Sequence, residues 1–397
     1  MIRTLDELAV SGDAIGVRVD INSPIGQDGR LDDDARLCAH VETLSELADR
    51  GGRVVVLAHQ GRPGGDDFTT LESHAARFDE LLSFPVSYVD ATFGSSARKA
   101  IESLDPGSIL LLENTRFYSE ENMSFEPSTA ADTHLVSELY EALDLFVNDA
   151  FAAAHRSQPS IVGFTERVPS YAGRVMETEI DALGEIEARP SPRVYSLGGA
   201  KVDDSIEIAE TVLQSGLADT VVTSGVVGNT FCYASGVDLG PETESVIKSR
   251  ARDRLDLAEQ LLERYPDRIA TPTDVAIERS GERTELPVTA LPVDEPALDI
   301  GTQTIASYAD IFETAGTVVL NGPAGVFEED RFATGTKELY TAATAAGYSI
   351  VGGGDTAAAM RQLGLSGFDH VSTGGGAALA MLTGEPLPAI QALDDGA

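Results

Sequence analysis

Tryptophan is absent from the 397 residues, cysteine occurs twice, and only four of the 28 basic residues are lysines: Lys99, Lys201, Lys248 and Lys337. Cys38 and Cys232 stand far apart and form no metal or redox spacing, which fits a reducing cytoplasm. No apolar run approaches the roughly 18–20 residues that span a bilayer. The first residues, MIRTLDELAV, lack a basic stretch followed by an apolar core, so no signal peptide is read. A soluble, cytoplasmic protein is expected, with no membrane partner. Positive charge is also scarce: 65 acidic residues against 28 basic ones leave a net charge of −37. Nucleic-acid binding depends on neutralising phosphates with Lys and Arg, so the balance argues against such a partner. The acids are dispersed (Asp32, Asp33 and Asp34; Asp66 and Asp67; Glu242 and Glu244) and form no single tail. Dispersed acid with little lysine reads as a surface adapted to high salt, where the Debye length falls to roughly 3 Å at 1 M.

What is present is a sequence long enough for two domains of roughly 150–200 residues. Short β-branched runs alternate with helix-like stretches, the pattern of a parallel sheet covered by helices. Strands are expected at 15–21, 53–58, 108–113 and 144–148, then at 193–198, 219–224, 317–321, 348–352 and 369–372. Helices are expected at 33–49, 128–143, 242–264 and 335–346. The stretch 165–192 holds a Pro-Ser turn, one long helix and a Pro-rich linker, and marks the domain boundary.

In open α/β sheets ligands bind beyond the carboxyl ends of the strands. In the first half those ends supply Asp20 and Asn22, then His59 and Arg62, then Arg116, then Arg156, with Arg36 opening the helical stretch after the first loop. Taken singly, each Arg reads as a surface ion pair and the His as a structural residue. Together on one rim of so acidic a chain they point to a small anion, a carboxylate or phosphate ester held by guanidinium forks. In the second half the strand ends are glycine-rich: Gly198-Gly199-Ala200-Lys201, Asn321-Gly322-Pro323, Gly352-Gly353-Gly354-Asp355-Thr356 and Gly374-Gly375-Gly376. Such turns let backbone N–H groups approach phosphate oxygens. One such turn has a purely steric explanation; several in one sheet point to a nucleotide. Neither a Walker A motif nor a dinucleotide G-x-G-x-x-G with its later acid is present. Lys201 then supplies a compact point charge to a phosphate at a helix start.

These segments resemble the phosphoglycerate kinase family. The matching stretches are RVDIN (18–22), AHQGRP (58–63), LLENTRF (111–117), FVNDAFAAAHRS (146–157), LGGAKVDD (197–204), LPVDEPALDIG (291–301), NGPAGVFE (321–328), GGGDTAAAM (352–360) and DHVSTGGGAAL (369–379), in the family's order over nearly the whole chain. With the acidic surface, the resemblance suggests a halophilic archaeal source. It implies an α/β fold of two Rossmann-like domains with parallel sheets joined by a hinge helix. An N-terminal domain, 1–170, would bind 3-phosphoglycerate, a C-terminal domain, 171–378, would bind the nucleotide, and a tail, 379–397, would return to the N-terminal domain. The implied reaction is reversible, Mg²⁺-dependent phosphoryl transfer between ATP and 3-phosphoglycerate, giving ADP and 1,3-bisphosphoglycerate, in a protein that is a monomer.

By the same resemblance, Asp20, Asn22, Arg36, His59, Arg62, Arg116 and Arg156 bind the acid substrate. Lys201, Asn321, Glu328, Gly353, Gly354, Asp355 and Thr356 bind the nucleotide, Asn321 and Glu328 near the nucleoside and ribose, with Asp355 on the metal. Arg36, Lys201 and Gly375 serve the chemical step, and Glu179 pairs with His370 at the hinge. Many members carry a second lysine four residues after the first; here that position is Ser205. Two other readings are a kinase for a different carboxylate and a non-catalytic nucleotide- or anion-binding homologue. The implied catalysis needs hinge closure, because the two ligands sit on different domains.

The acidic surface sets a first test. The melting temperature should rise as KCl is increased from about 0.1 M to the multimolar range; a melting temperature indifferent to salt would remove the salt-adapted reading.

Overall fold

The computed structural model describes residues 2–26, 29–184, 186–251 and 254–396. The chain divides into two compact units, Met1–Gly184 with Glu385–Ala397, and Glu185–Gly384.

The first unit is built on six strands: β1 (Ala14–Arg18), β2 (Arg53–Leu57), β3 (Val86–Tyr88), β4 (Ile109–Leu111), β5 (Leu145–Asn148) and β6 (Ser170–Ala172). They pair in the order β3-β4-β2-β1-β5-β6, all parallel. A parallel sheet is covered on both faces, so its strands read as continuous apolar runs. In β2 the alternation sends Val54 and Val56 into a cluster with Leu44, Leu47 and Phe78, while Val55 and Leu57 join Leu135, Val136 and Phe146 on the other face. The order reverses between β1 and β5, so the loops after these two strands diverge to opposite sides and leave a crevice.

The second unit repeats the plan with an insertion. Its strands are β7 (Arg193–Leu197), β8 (Thr220–Thr223), β9 (Ile269–Ala270), β10 (Asp274–Arg279), β11 (Glu282–Pro287), β12 (Ala297–Ile300), β13 (Thr317–Asn321), β14 (Ser349–Gly352) and β15 (His370–Val371). Six form a parallel sheet ordered β15-β14-β13-β7-β8-β9, with the reversal at β7 and β13. The other three make a small antiparallel sheet, β11-β10-β12. No helix among the described residues is long and apolar enough to cross a membrane.

All nine expected strands are present, and both parallel sheets match the expected α/β class. The differences are local. The stretch 33–49 is two helices, Ala35–Ala39 and Val41–Asp49, broken at His40, whose ring is held by Asp20 and Asp149. The stretch 242–264 is likewise two helices, Pro241–Arg250 and Leu255–Arg264. The long helix expected within 165–192 spans only Arg174–Leu183. This helix belongs to the first unit, which therefore extends past the expected 170. Asp149 Oδ1 accepts from the backbone N–H of Val175 at 2.9 Å, and Arg174 pairs with Glu46 at 2.7 Å. The helix Gly376–Leu382 stays with the second unit, since Tyr195 donates to the Leu382 carbonyl at 2.8 Å. The residues that join the first unit begin at Glu385, and Ala389 N–H donates to Ala154 O at 3.1 Å.

Asp149 ties this unit together. Its Oδ2 accepts from His40 Nδ1 at 2.7 Å while Oδ1 caps the helix, and its side chain is fully buried. The cap requires a close approach at Gly173, where a Cβ would lie 2.2 Å from Asp149 Oδ1. Replacing Asp149 by Ala removes a helix cap and leaves a buried imidazole N–H unpaired, at a cost of about 3 kcal/mol. Urea unfolding of Asp149→Ala should show the midpoint shift; a change below about 0.5 kcal/mol would mean that water replaces the carboxylate.

Candidate active site

The crevice at the β1/β5 reversal is lined by basic side chains. Asp20 and Asn22 follow β1, His59 and Arg62 follow β2, Arg116 lies in the turn after β4, and Arg156 follows β5. Arg36, on the helix Ala35–Ala39, donates to Asp20 Oδ2 and is 44% exposed. Asn22 Oδ1 accepts from Gly61 N–H at 2.8 Å, and Arg116 donates to the Gly61 carbonyl at 2.6 Å. These bonds gather the loops after β1, β2 and β4 round one point. Arg62, Arg116 and Arg156 have no ion-pair partner among the described residues. Burial, then the charges of Arg156 and Arg18, push the Arg116 guanidinium down to about 10. Partial burial likewise lowers Arg156, with Arg62 and Arg36 adding to the effect and Asp20 opposing it. Cations that depress one another form a site short of negative charge.

At the centre lies a residue the sequence reading missed. Arg18, the last residue of β1, is fully buried. Its Nε donates to Ser160 Oγ at 2.7 Å, Nη1 donates to the Val19 carbonyl, and Nη2 donates to His59 Nδ1 at 2.9 Å. Glu121, also fully buried, lies 3.9 Å from Nη2 and accepts from the Ser160 hydroxyl and, at 3.0 Å, from its N–H. Ser160 is placed by a turn of π-helix, Pro159–Gly163, an element often found at functional sites. Gln60 is also buried. It clamps the rim by accepting from Ser23 N–H at 2.9 Å and His74 Nε2 at 3.0 Å, and by donating to Ser23 O at 2.8 Å.

In the second unit two cavities lie beyond the strand ends. The larger, about 420 Å³, is mainly apolar, with Leu298, Val326, Phe327 and Ala358 in its wall and Asn229, Asp299 and Glu328 as polar members. The smaller, about 180 Å³, is lined by Lys201, Asp204, Ser205, Asn321, Gly353, Gly354, Asp355, Thr356 and Gly375, among others. Asn321 thus lines the smaller cavity, while Glu328 lines the larger one. Lys201 precedes the helix Val202–Gln214 and contacts Asp355 Oδ2 at 3.1 Å, both side chains being more than half exposed. Ser205 is buried one turn further along that helix. Gly353 has φ +93°, and a Cβ there would lie 2.6 Å from Asn321 Oδ1, so only glycine fits. The Thr356 hydroxyl accepts from Gly322 N–H at 2.8 Å, which joins the loops after β13 and β14. Gly374 N–H is used by Ser372 Oγ at 3.0 Å. Glu179 is buried on the helix of the first unit, and His370 opens β15 in the second.

The model of the phosphoglycerate kinase family matches residues 5–385. The chain belongs to that family. Similar relatives are the phosphoglycerate kinases of Natronomonas pharaonis, 62% identical over 99% of this chain and 100% of the relative, and Halobacterium salinarum, 58% identical over 99% of each. Among solved structures, the phosphoglycerate kinase of Pyrococcus horikoshii OT3 aligns with a TM-score of 0.91 and 40% identity, covering 100% of this chain and 99% of that one. The chain is a phosphotransferase with a carboxyl group as acceptor.

Three buried groups give this kinase a defined acid response. Burial, chiefly, holds His74 down to about 4. Burial and then Arg18, Arg116, Arg156 and Arg36 hold His59 well below its ordinary 6.5. Between 6.5 and about 4 the unfolded chain binds more protons at His74 than the folded one, so that stabilisation is full above pH 6.5 and is lost as pH falls; His59 acts in the same direction. Asp299 is opposite: burial raises it to about 6 against bonds from Gly335 N–H and Arg283, so its unfavourable contribution fades as pH falls below 6. His74→Gln should flatten the loss of stability from pH 6.5 to 4 by up to roughly 3 kcal/mol. Urea titrations at each pH read this directly, and an unchanged slope would show His74 to be protonated in the fold.

Proposed function

We propose that the arginine-lined crevice of the first unit binds 3-phosphoglycerate and that the two cavities of the second unit bind ATP or ADP. The observation that supports this most is the trio Arg62, Arg116 and Arg156, cationic and without an ion-pair partner among the described residues, in a chain of net charge −37. With His59 they would grip the phosphate ester of the substrate, supplying binding energy for orientation. The apolar cavity suits a purine ring, with Glu328 at its edge for the ribose. The small cavity, with Lys201, Asn321 and the positive-φ turn at Gly353, suits the phosphates.

No group of three or more His, Cys, Asp or Glu side chains poised for a metal occurs among the described residues. Asp355, at the small cavity that Asp204 also lines, fits Mg²⁺, which takes one or two carboxylates and completes its shell with water and nucleotide phosphates. Bound there, the ion would neutralise phosphate charge. The substrate carboxylate is already ionised at neutral pH, so no general base is required. What the chain must supply is alignment and charge stabilisation for an in-line transfer. Arg36 would turn from Asp20 to the carboxylate and the moving phosphoryl, and Lys201 would leave Asp355 for the phosphates. The glycine turn at Gly375, ahead of the helix Gly376–Leu382, would offer backbone N–H groups to the same charge. Ser205 carries no charge where many relatives place a lysine, so more of the task falls on these groups. We read the protein as a cytoplasmic monomer adapted to salt, in keeping with its acidic surface and its similarity to the two halophilic relatives.

A coupled assay of ATP- and Mg²⁺-dependent turnover of 3-phosphoglycerate, run from low to multimolar KCl, tests the assignment. Arg36→Ala should lower kcat by about 10²-fold or more with little change in nucleotide affinity, and Lys201→Ala should abolish most turnover. An unchanged kcat in Arg36→Ala would remove that residue from the transition state.

A further inference from the structure

His59 sits two residues beyond β2 and is almost fully buried in the arginine-lined crevice. A histidine among anion-binding arginines is ordinarily read as one more cation. The contacts here say otherwise. Arg18 Nη2 lies 2.9 Å from His59 Nδ1, and a guanidinium has donors only, so Nδ1 must accept. A ring that accepts at Nδ1 carries its proton at Nε2 and is neutral. Arg18 cannot turn away, because its Nε is spent on Ser160 and its Nη1 on the Val19 carbonyl. Ser160 in turn is held through both hydroxyl and N–H by Glu121. The charged groups facing the ring act in the same sense: Arg18 from β1, Arg36 from the first helix, Arg116 from the turn after β4 and Arg156 from the loop after β5 all oppose a proton on Nδ1. The nearby acids are engaged elsewhere, Asp20 with Arg36 and Glu121 with Ser160.

We propose that Arg18, backed by Ser160 and Glu121, is a positioning residue that fixes His59 as a neutral ring donating from Nε2 to the bound acid substrate. This rests on the assignment of the crevice to 3-phosphoglycerate. A fixed neutral donor adds a directed hydrogen bond without adding a fifth cation to a crowded set, and it keeps that bond constant while pH changes across the ordinary histidine range.

The test begins with the free enzyme. Long-range ¹H–¹⁵N spectra of ¹⁵N-histidine protein, compared with His59→Gln to assign the ring, should show His59 protonated at Nε2 only and neutral down to pH 5.5. A ring that titrates near 6.5, or that carries its proton on Nδ1, overturns the proposal. Arg18→Met paired with Glu121→Gln removes the buried charges together, which avoids leaving one unpaired; in it Nδ1 loses its donor, so the spectra should show a mixture of the two neutral tautomers, and a ring still protonated at Nε2 only would mean that Arg18 does not set its state. The His59 variants test the donor itself and do not depend on that double variant folding. The amide nitrogen of Gln stands where Nε2 stands, so His59→Gln should keep the KM for 3-phosphoglycerate within about threefold, whereas His59→Ala should raise it about tenfold. Equal losses in the two would show that the ring acts as a cation or a filler. Should 3-phosphoglycerate fail to bind while the tautomer is as described, the assignment of the crevice fails and the link between Arg18 and His59 stands.

Discussion

A guanidinium with no exposed surface, that of Arg18, constrains most of what surrounds it in the first unit. A charge removed from water must find hydrogen bonds and a counter-charge nearby, or the fold pays several kcal/mol. Arg18 finds them on separate segments: the strand end at Val19, the loop after β2 at His59, the π-helical turn at Ser160 and the turn Ser119–Asn122 at Glu121. The loops at the carboxyl edge of the sheet are therefore drawn to one point before any ligand arrives. Glu121 balances Arg18, Asp20 pairs with Arg36, and Arg62, Arg116 and Arg156 are left without an ion pair among the described residues. The site is the excess positive charge that the fold does not consume.

The candidate site of the second unit is built by another route. Its strand order also reverses beside the first strand, between β7 and β13, but the loops there offer glycine backbone rather than guanidinium. Gly353 can adopt its positive φ only without a Cβ, and the Thr356 hydroxyl then binds the neighbouring loop through Gly322. Backbone N–H groups suit a polyphosphate that shares its charge with a metal, since they add donors without adding net charge. Forked guanidiniums suit a small dianion that must be held in one orientation. The difference between the two units follows the chemistry of the ligands assigned to them.

Much of this was legible in the sequence, for physical reasons. Both parallel sheets showed themselves because strands buried on two faces have to be continuous apolar runs, as RVVVL and TVVLN are. The strand-end residues were legible because four ends carried one chemistry. What stayed hidden was pairing. Arg18 lies inside the strand run 15–21, where nothing marks a guanidinium as buried; only its partner Glu121, 103 positions away, makes burial tolerable. His40 breaks a helix that periodicity would continue, because its ring is bonded to Asp149 across 109 positions. The antiparallel sheet was missed because β11, ERTELP, is an edge strand with little burial, and its charged residues hide the alternation. That Asn321 shares the small cavity with Gly353 was also hidden, because it follows from the pairing of β13 with β14.

The net charge of −37 places these sites under a field hostile to both ligands, since the acid substrate and the nucleotide are anions. Salt resolves the conflict by range. At 1 M the Debye length is roughly 3 Å, so the field of the dispersed surface acids dies within a contact distance of the surface. The buried contacts, such as Arg18 to His59 at 2.9 Å and Arg116 to Gly61 at 2.6 Å, lie where mobile ions do not enter, and they keep their strength. The exposed pair of Lys201 and Asp355 is of the other kind, open to solvent on both sides and weakened by the same ions. On the reading proposed above, a weak pair suits that place: it would keep the lysine beside the cavity and would yield when a polyphosphate and its metal take the two partners separately.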